Sequence, residues 1–233
     1  MLKGVIFDLD GVLVDSHPIH MRAWKKFLAS LDIVASAPEL EILRDGRSKE
    51  EILRHFISDL TGHEICAYAE EKDRFYREEV RGLTTVKGIR RLLDQLRRNG
   101  VPAAVASSGS FWRVHDTLDR LHLKDYFTTV VTAKEFKAGK SNPAIFLNTA
   151  QRMEVRCDES LVFEDSAAGI RSATAIGIKC IGIADHVREK ALLDAGAVLV
   201  FRNFVHTSLT QLQGLFIGTP NCKWASHASS LSA

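Results

Sequence analysis

Two aspartates two residues apart, Asp8 and Asp10, follow the apolar run Lys3-Gly4-Val5-Ile6-Phe7 and precede Gly11. Carboxylates at the exit of a buried segment are costly unless something positive sits between them. A hard cation with oxygen ligands, magnesium above all, answers that need, and Gly11 lets the chain turn where a ligand would approach. Acidic loop residues at a strand end are the plainer reading of the same run. Three other segments carry chemistry-bearing residues after an apolar run or before a helix start. Val105-Ala106-Ser107-Ser108-Gly109-Ser110 offers a hydroxyl and backbone N–H groups entering a helix, the make-up of a phosphate cradle and also of an ordinary turn. In Gly139-Lys140-Ser141-Asn142-Pro143, Lys140 precedes a helix start, where it would neutralise a bound phosphate or simply lie in solvent. Val162-Phe163-Glu164-Asp165-Ser166-Ala167-Ala168-Gly169-Ile170 ends a buried run in two adjacent acids, either ligands or a helix N-cap.

These residues need elements to hold them. Lys3 to Phe7 is short and apolar without alternation, the signature of a strand buried on both faces. Similar runs recur at 102–106, 129–132, 160–163, 180–183 and 197–200. Between them, Ile89, Leu92, Leu93 and Leu96, then Val114, Leu118 and Leu121, then Ile145, Phe146, Thr149 and Met153 fit helix faces, with Gly100 ending the first of these helices. Strand and helix alternating over 83–213 predicts a parallel sheet wrapped by helices, whose active site lies at the carboxyl ends of the strands. Residues 16–82 break that rhythm. Ser16 reads as an N-cap with Pro18 in the first turn; His20, Ala23, Trp24, Phe27 and Leu31 share one face, Ile52, Leu53, Phe56 and Leu60 another, and 68–80 form a highly charged third helix. An all-helical domain inserted after the first strand is expected there. Residues 1–15 and 83–215 then form the core, and 216–233 a tail without periodicity, disordered or loosely attached.

Composition narrows the classes. Of 233 residues, 31 are Lys or Arg and 29 Asp or Glu, a formal net charge of +2, which gives no electrostatic footprint for nucleic acid. Hydrophobic content of 45% with 26% charged residues is ordinary globular composition. No apolar run approaches the roughly 18 residues needed to cross a bilayer, and the N-terminal run meets Asp8 too early for a secretion signal. Cys66, Cys157, Cys180 and Cys222 are too dispersed for a zinc site or a disulfide framework. The expectation is a cytoplasmic protein, monomeric or weakly dimeric, with no nucleic-acid or membrane partner.

The order of the four motifs, each at the exit of an expected parallel strand, resembles the haloacid dehalogenase superfamily. Asp8-Leu9-Asp10-Gly11-Val12 matches its first motif, Ser107 the second, Lys140 the third, and Glu164-Asp165 with Ser166 and Gly169 the fourth. The helical insert at 16–82 matches the subfamily with a cap between motifs one and two, and the chain looks most like the group of β-phosphoglucomutase and small sugar-phosphate phosphatases. The resemblance implies an α/β fold, a doubly wound, Rossmann-like parallel sheet with an inserted all-helical cap domain. It implies a magnesium-dependent phosphatase of a small phosphorylated metabolite, a sugar phosphate by class, with a hexose-phosphate mutase as the alternative and a non-catalytic binding module as the third reading. By the same resemblance Asp8 is the nucleophile and Asp10 the acid and base. Magnesium lies on Asp8, the Asp10 carbonyl and Asp165, with Glu164 as ligand or support, and Ser107, the Ser108 amide and Lys140 hold the transferring oxygens. Ser141 and Ala144 depart from the family's third motif, where a proline and an aspartate are usual.

In the expected cap, His20 either faces the site or packs on its helix face. Arg47 and Lys49, near Gly46, either touch a polar substrate or lie exposed at a helix start. The mutases carry a Ser-Lys-Asn run two residues past the motif-two serine; Gly109, Ser110 and Phe111 stand here, and Lys49 replaces an arginine. Arg113, one turn further on, either reaches in as a substitute or, the plainer reading, lies solvated as a helical cation. The balance favours net phosphate release.

Overall fold

A computed structural model describes residues 1–44, 47–132 and 142–217. Six parallel strands form one sheet in the order β3-β2-β1-β4-β5-β6: β1 (Gly4–Phe7), β2 (Ala103–Ser107), β3 (Thr129–Thr132), β4 (Ser160–Glu164), β5 (Lys179–Ile183) and β6 (Leu199–Phe201). The chain starts in the middle, steps outward through β2 and β3, returns to β4 and steps outward on the other side. The order thus reverses beside β1, the place where open α/β sheets bind ligands. Six helices accompany these strands: α5 (Ile89–Arg98), α6 (Phe111–Arg120), α7 (Ala144–Arg152), α8 (Ala167–Ala175), α9 (His186–Asp194) and α10 (Leu209–Gly214). The doubly wound parallel sheet is as expected. The last strand starts at Leu199 rather than at 197, because Ala197 still completes the turn after α9, its N–H bonded to Leu192 O; Val198 N–H already reaches Cys180 O of β5.

Why these runs are strands is visible in their burial: β1, β2 and β4 are buried at every residue. One side of the sheet packs Val5, Phe7, Leu161 and Phe163 against Leu92, Leu93 and Leu96 of α5; the other packs Ile6, Val162 and Ala104 against Ile145 and Phe146 of α7. Phe7 stacks on Phe163 at 5.2 Å between centroids and meets Phe127 and Phe204 edge-on, both at 6.3 Å. Phe7↔Phe163 is also the last register pair of β1 and β4, and Asp8 N–H donates to Phe163 O at 2.9 Å. Asp8 and Glu164 therefore leave neighbouring strands side by side. Gly100, at φ +65°, ends α5 as expected.

Between β1 and α5 the described residues form only helices: α1 (His17–Ser30), α2 (Ala37–Glu41), α3 (Lys49–Phe56) and α4 (Gly62–Glu79). Trp24, Phe27 and Leu28 of α1, Ile52 and Leu53 of α3 and Ile65 of α4 enclose a separate apolar cluster. The two connections to the sheet run together: Asp15 N–H donates to Thr84 O at 2.9 Å and Val86 N–H to Leu13 O at 3.0 Å. Ser16 stands at the N-cap position as expected, its carbonyl accepting from His20 N at 2.9 Å, but it makes no side-chain cap bond: its backbone is already helical and its hydroxyl donates to Asp10 Oδ1 at 2.7 Å. Phe216, placed in the tail by sequence, packs against the core, with Lys179 over its ring at 4.7 Å; 218–233 lie outside the described residues. Among the described residues no helix is long and apolar enough to cross a membrane.

Phe7 ties the sheet core to the strand end that carries Asp8. Phe7→Ala should cost ~3–5 kcal/mol and lower the melting temperature by roughly 10 °C, with Phe7→Leu much milder. Thermal denaturation followed by circular dichroism checks it; an unchanged midpoint for the alanine variant would refute the central place given to this ring.

Candidate active site

β1, β2 and β4 deliver Asp8, Ser107 and Glu164-Asp165 to one end of the sheet. Asp8, Ser107 and Glu164 are fully buried, and Asp165 nearly so. Oxygens of Asp8, Glu164 and Asp165 all lie within 4.8 Å of one another. This all-oxygen, all-anionic donor set suits a hard divalent cation. Glu164 Oε1 accepts from Asp165 N, Ser166 N and Ser166 Oγ at 3.2, 3.0 and 2.8 Å, which locks the carboxylate to its own loop. Room for it exists because residue 169 is glycine; a Cβ there would lie 2.4 Å from Glu164 Cδ. Ser166, rather than Asp165, caps α8 by accepting from Gly169 N at 3.1 Å, leaving Asp165 turned to the site. At β2, Ser107 Oγ accepts from Gly109 N at 3.1 Å, while Ser108 is exposed at the loop's surface. Lys140 falls outside the described residues; Asn142 Oδ1 accepts from Ala144 N at 2.9 Å and so holds the start of α7.

Asp10 is gripped from both parts of the molecule. From α1, His20 Nε2 lies 3.2 Å from Asp10 Oδ1, beside the Ser16 hydroxyl. From α6, Arg113 donates Nη1 to Oδ1 at 2.9 Å and Nη2 to Oδ2 at 2.6 Å. Burial works to raise the Asp10 pKa, yet the charge of Arg113 and the bond from His20 hold it well below the usual carboxylate range. Of the two sequence readings of Arg113, the solvated one is thus corrected: the side chain is 8% exposed. Its helix carries it inward beside Val114 and Thr117, and Asp10 compensates the charge. His17, one turn before His20, meets Asp165 Oδ2 at 2.7 Å, and Gly11 at φ +77° leaves space for both, since a Cβ there would lie 2.4 Å from His17 Nε2. Burial disfavours the charged His17 ring, but the hydrogen bond and the charge of Asp165 together outweigh it and raise the pKa.

Behind His20 sits a lysine that the sequence reading passed over. Lys72 of α4 is 1% exposed, donates to His20 Nδ1 at 2.9 Å, and lies over the rings of Trp24 and Tyr76 at 5.4 and 5.2 Å. This bond leaves the His20 proton on Nε2, aimed at Asp10. Burial and the charges of Lys72 and Arg113 push the His20 pKa down to about 3, so the ring is neutral. Burial, with the neighbouring charge of Lys49, brings Lys72 down to about 7. A signal for it existed: Ile65, Lys72 and Tyr76 share the inner face of α4 at spacings of seven and four. Of the two cap residues singled out with His20, Lys49 donates to Asp73 Oδ2 at 2.5 Å and Arg47 is exposed at the start of α3.

A lysine depressed to about 7 implies a stability signature. The unfolded chain binds more protons than the folded one between pH 7 and the ordinary lysine range, so stability from this group rises with pH there. Lys72→Met should therefore raise the melting temperature at pH 7, by an increment that shrinks as pH approaches 10. A constant increment across pH 7–10 would show that Lys72 is not charged at a cost in the fold.

Comparison with known proteins follows the same outline. A family model described as "Haloacid dehalogenase-like hydrolase" matches residues 5–183. Hexitol phosphatase A of Escherichia coli is 35% identical over 185 residues, covering 78% of this chain and 82% of that protein. Beta-phosphoglucomutase of Bacillus subtilis is 32% identical over 191 residues, covering 78% and 83%. Among solved structures, a HAD hydrolase of family IA, variant 3, from Entamoeba histolytica superposes with a TM-score of 0.86 at 25% identity, covering 93% of this chain and all of that one.

Proposed function

The chain belongs to the haloacid dehalogenase-like hydrolases, and from that premise we propose that it is a phosphatase acting on a phosphorylated sugar or sugar alcohol through a phosphoaspartate. The observation that carries this reading is the pairing of a buried Asp8 with an Asp10 held by Ser16, His20 and Arg113, a nucleophile beside a positioned proton carrier.

A carboxylate oxygen of Asp8 attacks phosphorus, the ester P–O bond breaks, and the departing alkoxide takes a proton from Asp10. Water then attacks the phosphoaspartate, gives its proton to Asp10, and the bond to Asp8 breaks, returning the carboxylate and inorganic phosphate. In the free enzyme Asp10 is ionised. The arriving phosphate ester adds negative charge beside it and raises its proton affinity, so that Asp10 takes up a proton from solvent as the substrate binds and releases one to solvent when the phosphate leaves. Ser107, the Ser108 amide and Lys140 would hold the transferring oxygens, where catalysis of phosphoryl transfer is mostly positioning and charge stabilisation. Asp8, Asp165 and the Asp10 carbonyl, supported by Glu164, would hold Mg²⁺, which when bound offsets the mutual repulsion of these acids and the phosphate. The helical unit of residues 16–82 would serve as a cap that closes over the substrate about its paired connections near 15–16 and 82–83 and excludes water.

A mutase is the second reading, favoured by the Bacillus subtilis relative. A mutase must bind a second phosphate. Here Ser110 and Phe111 are exposed, and Lys49 and Arg113 are matched by Asp73 and Asp10. Net release of phosphate fits this charge balance better. Incubation with β-glucose 1-phosphate and a trace of the 1,6-bisphosphate separates the two: glucose 6-phosphate accumulating faster than inorganic phosphate would favour the mutase.

Asp8→Asn should abolish turnover with the fold intact, and Asp10→Asn should lower it ~10²–10⁴-fold or more. Turnover should need Mg²⁺, stop in excess chelator, and be inhibited by Ca²⁺, whose looser coordination disturbs in-line geometry. An aryl-phosphate assay reads all of these; near-normal rates for Asp8→Asn would remove the nucleophile assignment, and full activity in chelator the metal.

A further inference from the structure

Arg113 enters the site from the core on α6, and the mechanism above gives it only the task of holding Asp10. Its geometry implies more. Both Asp10 oxygens lie on its guanidinium, at 2.9 and 2.6 Å. A leaving-group oxygen that takes a proton from Asp10 must come within ~2.6–3.2 Å of one of them. That oxygen then lies no further than about 6 Å from the guanidinium nitrogens, and a substituent on the adjoining carbon comes within hydrogen-bond reach of them.

Two observations point to a ligand contact rather than a purely internal bond. Arg113 Nε is buried and has no hydrogen-bond partner among the described residues. The Tyr76 hydroxyl, in the same place, interacts with Arg113 and Thr117, though not in good hydrogen-bond geometry. A buried N–H such as Arg113 Nε is rare without a partner. The second observation is that the approach is built in: a Cβ on Gly109 would lie 2.3 Å from Arg113 Nη2 and 2.9 Å from Cζ, so only glycine lets the side chain cross the loop after β2.

Charge decides what kind of group Arg113 takes. Asp10 already balances its charge, as Asp73 balances that of Lys49. What remains is N–H donor capacity rather than net positive charge, which suits neutral oxygens better than a second anion. Resting on the phosphatase reading above, we propose that Arg113, with the Tyr76 hydroxyl, is a specificity residue. It reads the hydroxyl on the carbon next to the phosphoester and so selects polyhydroxylated leaving groups.

Binding measured calorimetrically in the Asp8→Asn chain tests this without turnover, using a hexitol 6-phosphate and its analogue with hydrogen in place of the C5 hydroxyl. Arg113→Met should weaken binding of the hexitol phosphate by ~10–100-fold and of the deoxy analogue by less than about 3-fold. Arg113→Lys, which keeps the charge but loses the fork, should fall between them and covers the case in which the methionine variant does not fold. In the otherwise native enzyme the same loss should appear in KM more than in kcat. Equal weakening for both ligands would overturn the proposal and leave Arg113 as a positioning residue for Asp10 alone. If the native chain hydrolyses no phosphomonoester, the phosphatase reading fails, while the two-ligand comparison in the Asp8→Asn chain still decides Arg113.

Discussion

Four carboxylates crowd the ends of two neighbouring strands, and the rest of the structure answers that crowding. Asp8 and Asp10 leave β1, Glu164 and Asp165 leave β4, and the Phe7↔Phe163 register brings the two pairs together. Acids taken out of water at such spacing repel one another and lose hydration. Asp10 is balanced by Arg113 and bonded by Ser16 and His20, Asp165 is met by His17 and Arg188, and Glu164 is tied to its own loop. Several of these partners come from the start of α1. The contact between helical unit and sheet is therefore in good part electrostatic: the main apolar cluster of the helices is separate from the two that flank the sheet, while Leu83 packs both against the sheet core and against a small cluster of Ile19, Ala23 and Tyr76. On the proposed function, a largely polar joint suits a cap that opens to admit substrate.

The sheet was legible because its signal is local. Runs such as Ser160-Leu161-Val162-Phe163 have no polar alternation, and only a strand covered on both faces uses them. The acidic motifs were legible for a related reason, since carboxylates directly after such runs have no inexpensive structural use. What sequence reading missed lies where a charged residue is buried by a partner far along the chain. Arg113 and Asp10 are 103 residues apart, and Lys72 and His20 are 52 apart. A helix surface containing Arg or Lys reads as solvated until the partner is known. Ser16 is the N-cap read from the sequence, but the use of its hydroxyl was not legible for the same reason, since it bonds Asp10 rather than the helix start.

The buried cations also bear on how one pocket handles successive charge states. With Arg113 on Asp10 and Lys49 on Asp73 Oδ2, Lys72 shares the Asp73 carboxylate, its Oδ1 lying 3.9 Å away. Burial and the charge of Lys49 bring the Lys72 pKa down to about 7. His20, neutral and bonded on one nitrogen to Lys72 and on the other to Asp10, passes the effect of that charge to the carboxylate. On the proposed mechanism Asp10 must donate a proton while the ester is intact and accept one once the phosphoaspartate has formed. A permanently charged neighbour such as Arg113 lowers the proton affinity of Asp10 and so favours the donating half. On the proposed mechanism the substrate's negative charge acts in the opposite direction while it is bound, and the buried cations set the level from which the proton affinity of Asp10 rises.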